Sequence, residues 1–172
     1  LGIETNGTSF TNQKQKDLIM KIAVTLFLLF ASLQTMAYPL NPNPQTQPGS
    51  LCNRQNPDYA GDRYPEHIAY CRRNVDSGLK KALYDAYGVP EQCRSRYTID
   101  HLIPLSIGGD NSPENLWPEH KLVKQTRPQL EQQVFEDLRD ARITQQEAIN
   151  RVYYAKMQTI QVLAGSGDLC DQ

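Results

Sequence analysis

Residues 97–121 constrain the fold more than any other stretch. They read Y-T-I-D-H-L-I-P-L-S-I-G-G-D-N-S-P-E-N-L-W-P-E-H-K. Residues 96–101 are rich in β-branched and aromatic side chains, which predicts a short strand ending at Asp100 and His101. Pro104 stops that run from continuing as a central strand. Gly108, Gly109, Asp110 and Asn111 form a strong turn signal. A second apolar step, Leu116 and Trp117, follows Asn115. Pro118 suits the first position of a helix, with Glu119, His120 and Lys121 in its first turn. The predicted order is strand, loop, short strand, helix, carrying a carboxylate, two imidazoles and an amide.

The flanking sequence is mainly helical. Ser77 is a candidate N-cap for a helix with Leu79, Leu83 and Tyr87 on one face, stopped by Gly88 and Pro90. Thr126 and Gln129 read as a capping box around Pro128, ahead of a helix bearing Leu130, Val134 and Leu138. Thr144 and Glu147 form a second such box. It opens a last helix whose expected buried stripe is Ile149, Val152, Tyr153, Met157 and Ile160. Trp117 is expected in the core rather than as a base-stacking platform.

A chain of 172 residues with 39% hydrophobic content suits one domain with one core. Met20 and Lys21 begin a signal-peptide pattern, with an apolar run over 22–31 and a small-x-small cleavage site at Thr35 and Ala37. The run falls short of the ~20 residues a membrane span needs. The expected organisation is an upstream extension over 1–19, a signal peptide over 20–37 and a Pro/Asn-rich extended or disordered linker over 38–50. The domain itself would cover 51–172. This layout implies Sec-type export to the periplasm or beyond, with no membrane span in the mature chain.

Cleavage before Tyr38 removes three lysines and two acids, so the formal net charge moves from −1 to −2. That is not the basic balance of a tight nonspecific nucleic-acid binder. Weak, salt-sensitive binding still serves an enzyme that turns over. Four cysteines, Cys52, Cys71, Cys93 and Cys170, fall in the mature part, and an even count in an exported chain reads as two disulfides. Sequence leaves three pairings open, of which Cys52–Cys71 with Cys93–Cys170 is preferred. No C-x2-C spacing supports a zinc site.

The ordered set Asp100, His101, Pro104, Gly108, Gly109, Asn115, Leu116 and His120 resembles the HNH endonucleases, a ββα-metal family. The N-L-W-P-E continuation is similar to a branch of small exported bacterial members. The motif spans 25 residues, and a weaker likeness in helical layout continues to about residue 150. The resemblance implies an α+β fold with a ββα core, several flanking helices and disulfide stabilisation. It implies metal-dependent hydrolysis of nucleic-acid phosphodiester bonds, with DNA and also RNA as substrates and little sequence specificity.

Residue roles follow from the resemblance together with the chemistry. His101 is the expected general base, since imidazole titrates near neutral pH. Asp100 is a hard oxygen ligand for one divalent cation, Mg²⁺ first and Mn²⁺ second. His120 is the expected second ligand. It lies five residues after Asn115, where many family members place the last motif residue nine after; Lys124 holds the ninth place. Neighbours on a regular strand face opposite ways, so Asp100 and His101 share a site only if the backbone bends there. Asn115 is expected to fix the loop carrying the histidine. Arg96, Arg127 and Lys124 are candidate substrate contacts, with Arg72, Arg73 and Arg94 as further candidate phosphate contacts. Two other readings stay open: an inactive nucleic-acid-binding protein of the same fold, and a hydrolase of another phosphodiester.

Overall fold

A computed structural model describes residues 41–158. The expected signal peptide, the upstream extension, the cleavage site, Ile160 and Cys170 lie outside the described residues. The architecture is α+β, with two small antiparallel sheets and several helices.

The first sheet is a ribbon of β1 (Tyr59–Arg63) and β2 (Ile68–Cys71). The Cys52–Cys71 disulfide ties the approach to this ribbon to its end, as expected. Cys93 is fully buried and also disulfide-bonded. Helix α1 (Ser77–Ala86) follows. Its cap is Asp76, one residue before the expected Ser77; the Asp76 carboxylate accepts from the Leu79 N–H at 2.8 Å. Leu83 on α1 packs on Ile99 and Leu116, which sets the helix against the second sheet.

That sheet is the hairpin of β3 (Tyr97–His101) and β4 (Leu116–His120), paired in unbroken register from Tyr97↔His120 to His101↔Leu116. Pro118 therefore sits inside β4, opposite Ile99, and not at the start of a helix. In a two-stranded sheet each strand has an open edge, so a residue without an N–H is tolerated there. Helix α2 (Lys121–Gln125) starts after His120, whose Nδ1 accepts from the Leu122 N–H at 3.2 Å.

Helices α3 (Leu130–Arg139) and α4 (Gln145–Met157) complete the described chain. Val134, Leu138 and Ile143 meet Ala148 and Val152 around Ile103, Ile107 and Ile68. The main core thus lies beneath the loop that leaves β3. The Thr144–Glu147 capping box forms. The one expected at Thr126 and Gln129 does not: the Thr126 hydroxyl donates to the Val123 carbonyl at 2.7 Å, closing α2 instead. The buried face of α4 is also rotated from the expected stripe, to Ala148, Val152 and Lys156.

Residues 41–50 are largely exposed but meet the domain at several points. Gln47 is buried, the Gly49 N–H donates to the Glu114 carbonyl at 3.0 Å, and Leu51 bridges to Gly109. No helix among the described residues is long and apolar enough to cross a membrane.

Candidate functional site

The loop between β3 and β4 is held by Asn115, whose side chain is wholly buried. Its Oδ1 accepts from the Ile103 N–H at 2.8 Å, and its Nδ2 donates to the carbonyls of Ile103 (3.0 Å) and Asp110 (2.9 Å). One side chain thereby satisfies three backbone groups that the loop would otherwise bury unpaired. Gly109 is required by the same closure: a Cβ there would stand 1.8 Å from the Ile103 carbonyl oxygen. Gly108 takes φ +97°, a left-handed conformation that favours glycine. The Gly-Gly pair and Asn115 therefore lock the loop that follows His101.

His101 ends β3, buried, with both ring nitrogens engaged. Nδ1 lies 3.1 Å from a guanidinium nitrogen of Arg73, and Nε2 lies 3.1 Å from Oδ1 of Asn111. The second Arg73 nitrogen donates to the Ile99 carbonyl at 2.8 Å, anchoring the guanidinium beside the strand while the residue itself stays exposed. Burial depresses the imidazole pKa below its ordinary value; the Asn111 bond works against that shift and the Arg73 charge adds to it. The ring is thus held neutral, as a proton acceptor requires.

Asp100 points away from this group. The period-two alternation of β3 sends it to the other face of the hairpin, and its contacts agree. Oδ1 accepts from Lys124 Nζ at 2.7 Å and Oδ2 from Lys156 Nζ at 2.8 Å. Lys156 also donates to the His101 carbonyl (2.7 Å) and to Glu131 (2.8 Å), and its side chain is only 2% exposed. Glu119 lies diagonally across the hairpin, bonded to Arg127 and 3.7 Å from Lys124. Burial raises the Asp100 carboxyl, but the two ammoniums more than reverse this and keep it ionised well below the usual range. Glu119 has no such surplus of cations. Burial, then the Asp100 charge, pushes it up to about 8.

The two residues expected to ligate a cation are not brought together. His120 pairs with Tyr97, three residues along the ladder from Asp100 and on the opposite face. Three strand residues span about 10 Å. The ring of His120 packs edge-on against Tyr97, and its Nδ1 caps α2. Asp100 has both oxygens committed to ammonium groups. Asp100 and His120 do not fit as ligands of one ion, because the five-residue spacing from Asn115 keeps His120 in the strand, before the helix begins. Among the described residues no group of three or more His, Cys, Asp or Glu could hold a metal ion.

The candidate substrate contacts separate as well. Arg127 is mostly buried, bonded to Glu119 and to the Ala155 carbonyl. Lys124 is half-exposed on Asp100. Arg96 is partly exposed beside Ser95, Lys121 and Leu122. Trp117 is wholly buried and belongs to the core.

Sequence patterning passed over Asn111, Asp58, Glu119, Glu131 and Lys156. Asn111 was absorbed into the turn signal. Lys156 could have been found from the four-residue spacing Ala148, Val152, Lys156, a lysine in register with a buried stripe. No family model matches the chain, and no curated protein or solved structure matches it.

Proposed function

We propose that this chain hydrolyses phosphodiester bonds in nucleic acid, with His101 as the general base and Arg73 as the cation that receives the phosphate. The observation that carries the reading is the Arg73–His101 contact at 3.1 Å. A guanidinium only donates hydrogen bonds, so the imidazole nitrogen facing it carries a lone pair. An exposed guanidinium is a natural ligand for a phosphate oxygen. When Arg73 turns one N–H from His101 to a phosphate, the Nδ1 lone pair is freed beside the bound group. A water there loses its proton to Nδ1 as its oxygen attacks phosphorus, the ester P–O bond opposite breaks, and the departing alkoxide oxygen takes a proton from solvent water. Asn115 and Gly109 hold the loop that keeps the ring in place.

The order β3, β4, α2 supports the resemblance to a ββα core, and the disulfide supports an oxidising, exported workplace. No step is routed through a metal, since Asp100 and His120 do not converge. A second reading, a binding protein without turnover, is favoured by the full engagement of both His101 nitrogens.

The test is incubation of the purified chain with plasmid DNA, RNA and a small chromogenic diester, with Mg²⁺ or Mn²⁺ and with EDTA, beside His101→Ala. Cleavage of nucleic acid lost in His101→Ala supports the proposal. Turnover of the small diester alone moves the substrate class. Retained binding without cleavage under every condition selects the second reading. The EDTA arm decides whether a divalent cation takes part.

A further inference from the structure

The base His101 meets the disulfide-tied ribbon through Asn111 as well as Arg73. Asn111 sits in the turn after β3, only 7% exposed, and is bonded on both ends of its amide. One end lies 3.1 Å from His101 Nε2. The other lies 2.8 Å from the Asp58 carboxylate and 2.7 Å from the Arg72 carbonyl. Carboxylates and carbonyls only accept, so that end must be the NH₂ group. The end facing His101 is therefore the carbonyl oxygen, and Nε2 must carry the proton. Arg73 imposes the same tautomer from the opposite side of the ring, because Nδ1 faces a donor. Two independent sets of partners thus specify one protonation pattern; a flipped ring would turn carbons to both partners and lose both bonds.

We propose that Asn111 and Asp58 are positioning residues for the reaction: they hold His101 as the Nε2–H tautomer, so that Nδ1 is the nitrogen that takes the proton from water. The inference rests on the base role given to His101 and adds which nitrogen acts and what selects it. Asp58 also accepts from Asn74 at 2.8 Å, and its carbonyl accepts from the Arg72 N–H at 3.0 Å. It is thus fixed to the ribbon whose end carries Cys71, next to Arg72 and Arg73. Every group that orients the ring is delivered or braced by residues 58–73, which lie far outside the 97–121 motif. Once Arg73 turns to substrate, Asn111 is the partner left to fix the proton; without it the imidazole would be free to place its proton on either nitrogen. A ring with the proton on Nδ1 has its lone pair turned inward, away from substrate.

The experiment is long-range ¹H–¹⁵N correlation on the full chain labelled at histidine nitrogens, at pH 7.5. His101 is assigned by its loss in His101→Gln, and cleavage rates are measured in parallel. Wild type should show one tautomer, protonated at Nε2. Asn111→Leu, of similar shape but without the acceptor, should lower kcat by at least about 10-fold at little-changed KM, and Asn111→Leu with Arg73→Ala, which removes both partners of the ring, should give mixed tautomers. Arg73→Ala alone should keep the Nε2–H tautomer, because Asn111 still accepts from Nε2, and adding Asp58→Ala should shift it toward a mixture. A Nδ1–H tautomer in wild type overturns the inference. So does an unchanged tautomer in Asn111→Leu with Arg73→Ala, or a mixture in Arg73→Ala alone. If no variant cleaves and wild type does not cleave either, while the tautomers behave as described, the base role fails and the tautomer control stands.

Discussion

The ammonium of Lys156 lies 2.8 Å from Oδ2 of Asp100, and both side chains are withdrawn from solvent. The contact joins α4 to β3 across 56 residues of sequence. Losing the whole partner of a buried charge costs about 3–5 kcal/mol; without Lys156, Asp100 keeps the half-exposed Lys124. Lys156→Met should therefore lower unfolding stability by up to about 3 kcal/mol, the low end of that range, because Lys124 remains. Adding Asp100→Asn should recover part of the loss, because the pair is coupled. Urea unfolding of the two variants checks this; equal stability of Lys156→Met and wild type would refute it.

Glu119 gives the fold a pH dependence of definite sign. Its folded-state pKa is raised from 4.5 to about 8. Across that window the native state binds a proton the unfolded state has lost, so stability falls as pH rises. Asp100 has the opposite shift and costs stability only when pH falls below its ordinary 3.8. The depressed His101 works the other way in the same window, so the test is the difference: relative to Glu119→Gln, wild type should lose melting temperature between pH 5 and pH 8. A Glu119→Gln profile parallel to wild type would mean that another group titrates.

Arg73→Gln removes the phosphate cation without touching the core, since the residue is exposed. One charge-assisted hydrogen bond is worth about 1.5–3 kcal/mol. The expected loss is roughly 10-fold to 100-fold in kcat/KM, with the melting temperature little changed. Steady-state kinetics on the preferred nucleic acid, read beside a melting curve, check it.

The Cys52–Cys71 bridge closes a separation of 19 residues, for which chain entropy gives about 3 kcal/mol. Cys52→Ser with Cys71→Ser should cost that much stability. It should also lower activity more than stability alone explains, because the ribbon it ties carries Asp58 and Arg73. Melting and cleavage measured on the same sample separate the two effects.

Much of the hairpin was legible because its signals are local. Strand propensity through residue 101, the Gly-Gly turn and Asn115 are read within a few residues, and the structure uses each of them. The boundary at Pro118 was not legible. Proline is favoured both at a helix start and at an open strand edge, and only the pairing of Tyr97 with His120 decides between them. The same pairing separates His120 from Asp100, so the error in the element carried into the expected ligand pair. Lys156, Asp58 and Asn111 were hidden for another reason. Each meets the hairpin through contacts 10 to 56 residues away in sequence, and a charged or amide side chain reads by default as solvent-facing. Only the tertiary arrangement shows where their hydrogen bonds go.

Burial holds the His101 imidazole neutral to lower pH than usual, so the acid limb of activity should fall below its ordinary pKa of 6.5. The most direct test of the central claim is the rate of nucleic-acid cleavage by His101→Ala against wild type at pH 7.5, with both proteins shown to be folded. Loss of a positioned general base predicts a drop of about 10²-fold to 10⁴-fold in kcat. A rate within about twofold of wild type, far outside that range, would contradict the role of His101 and with it the proposed site.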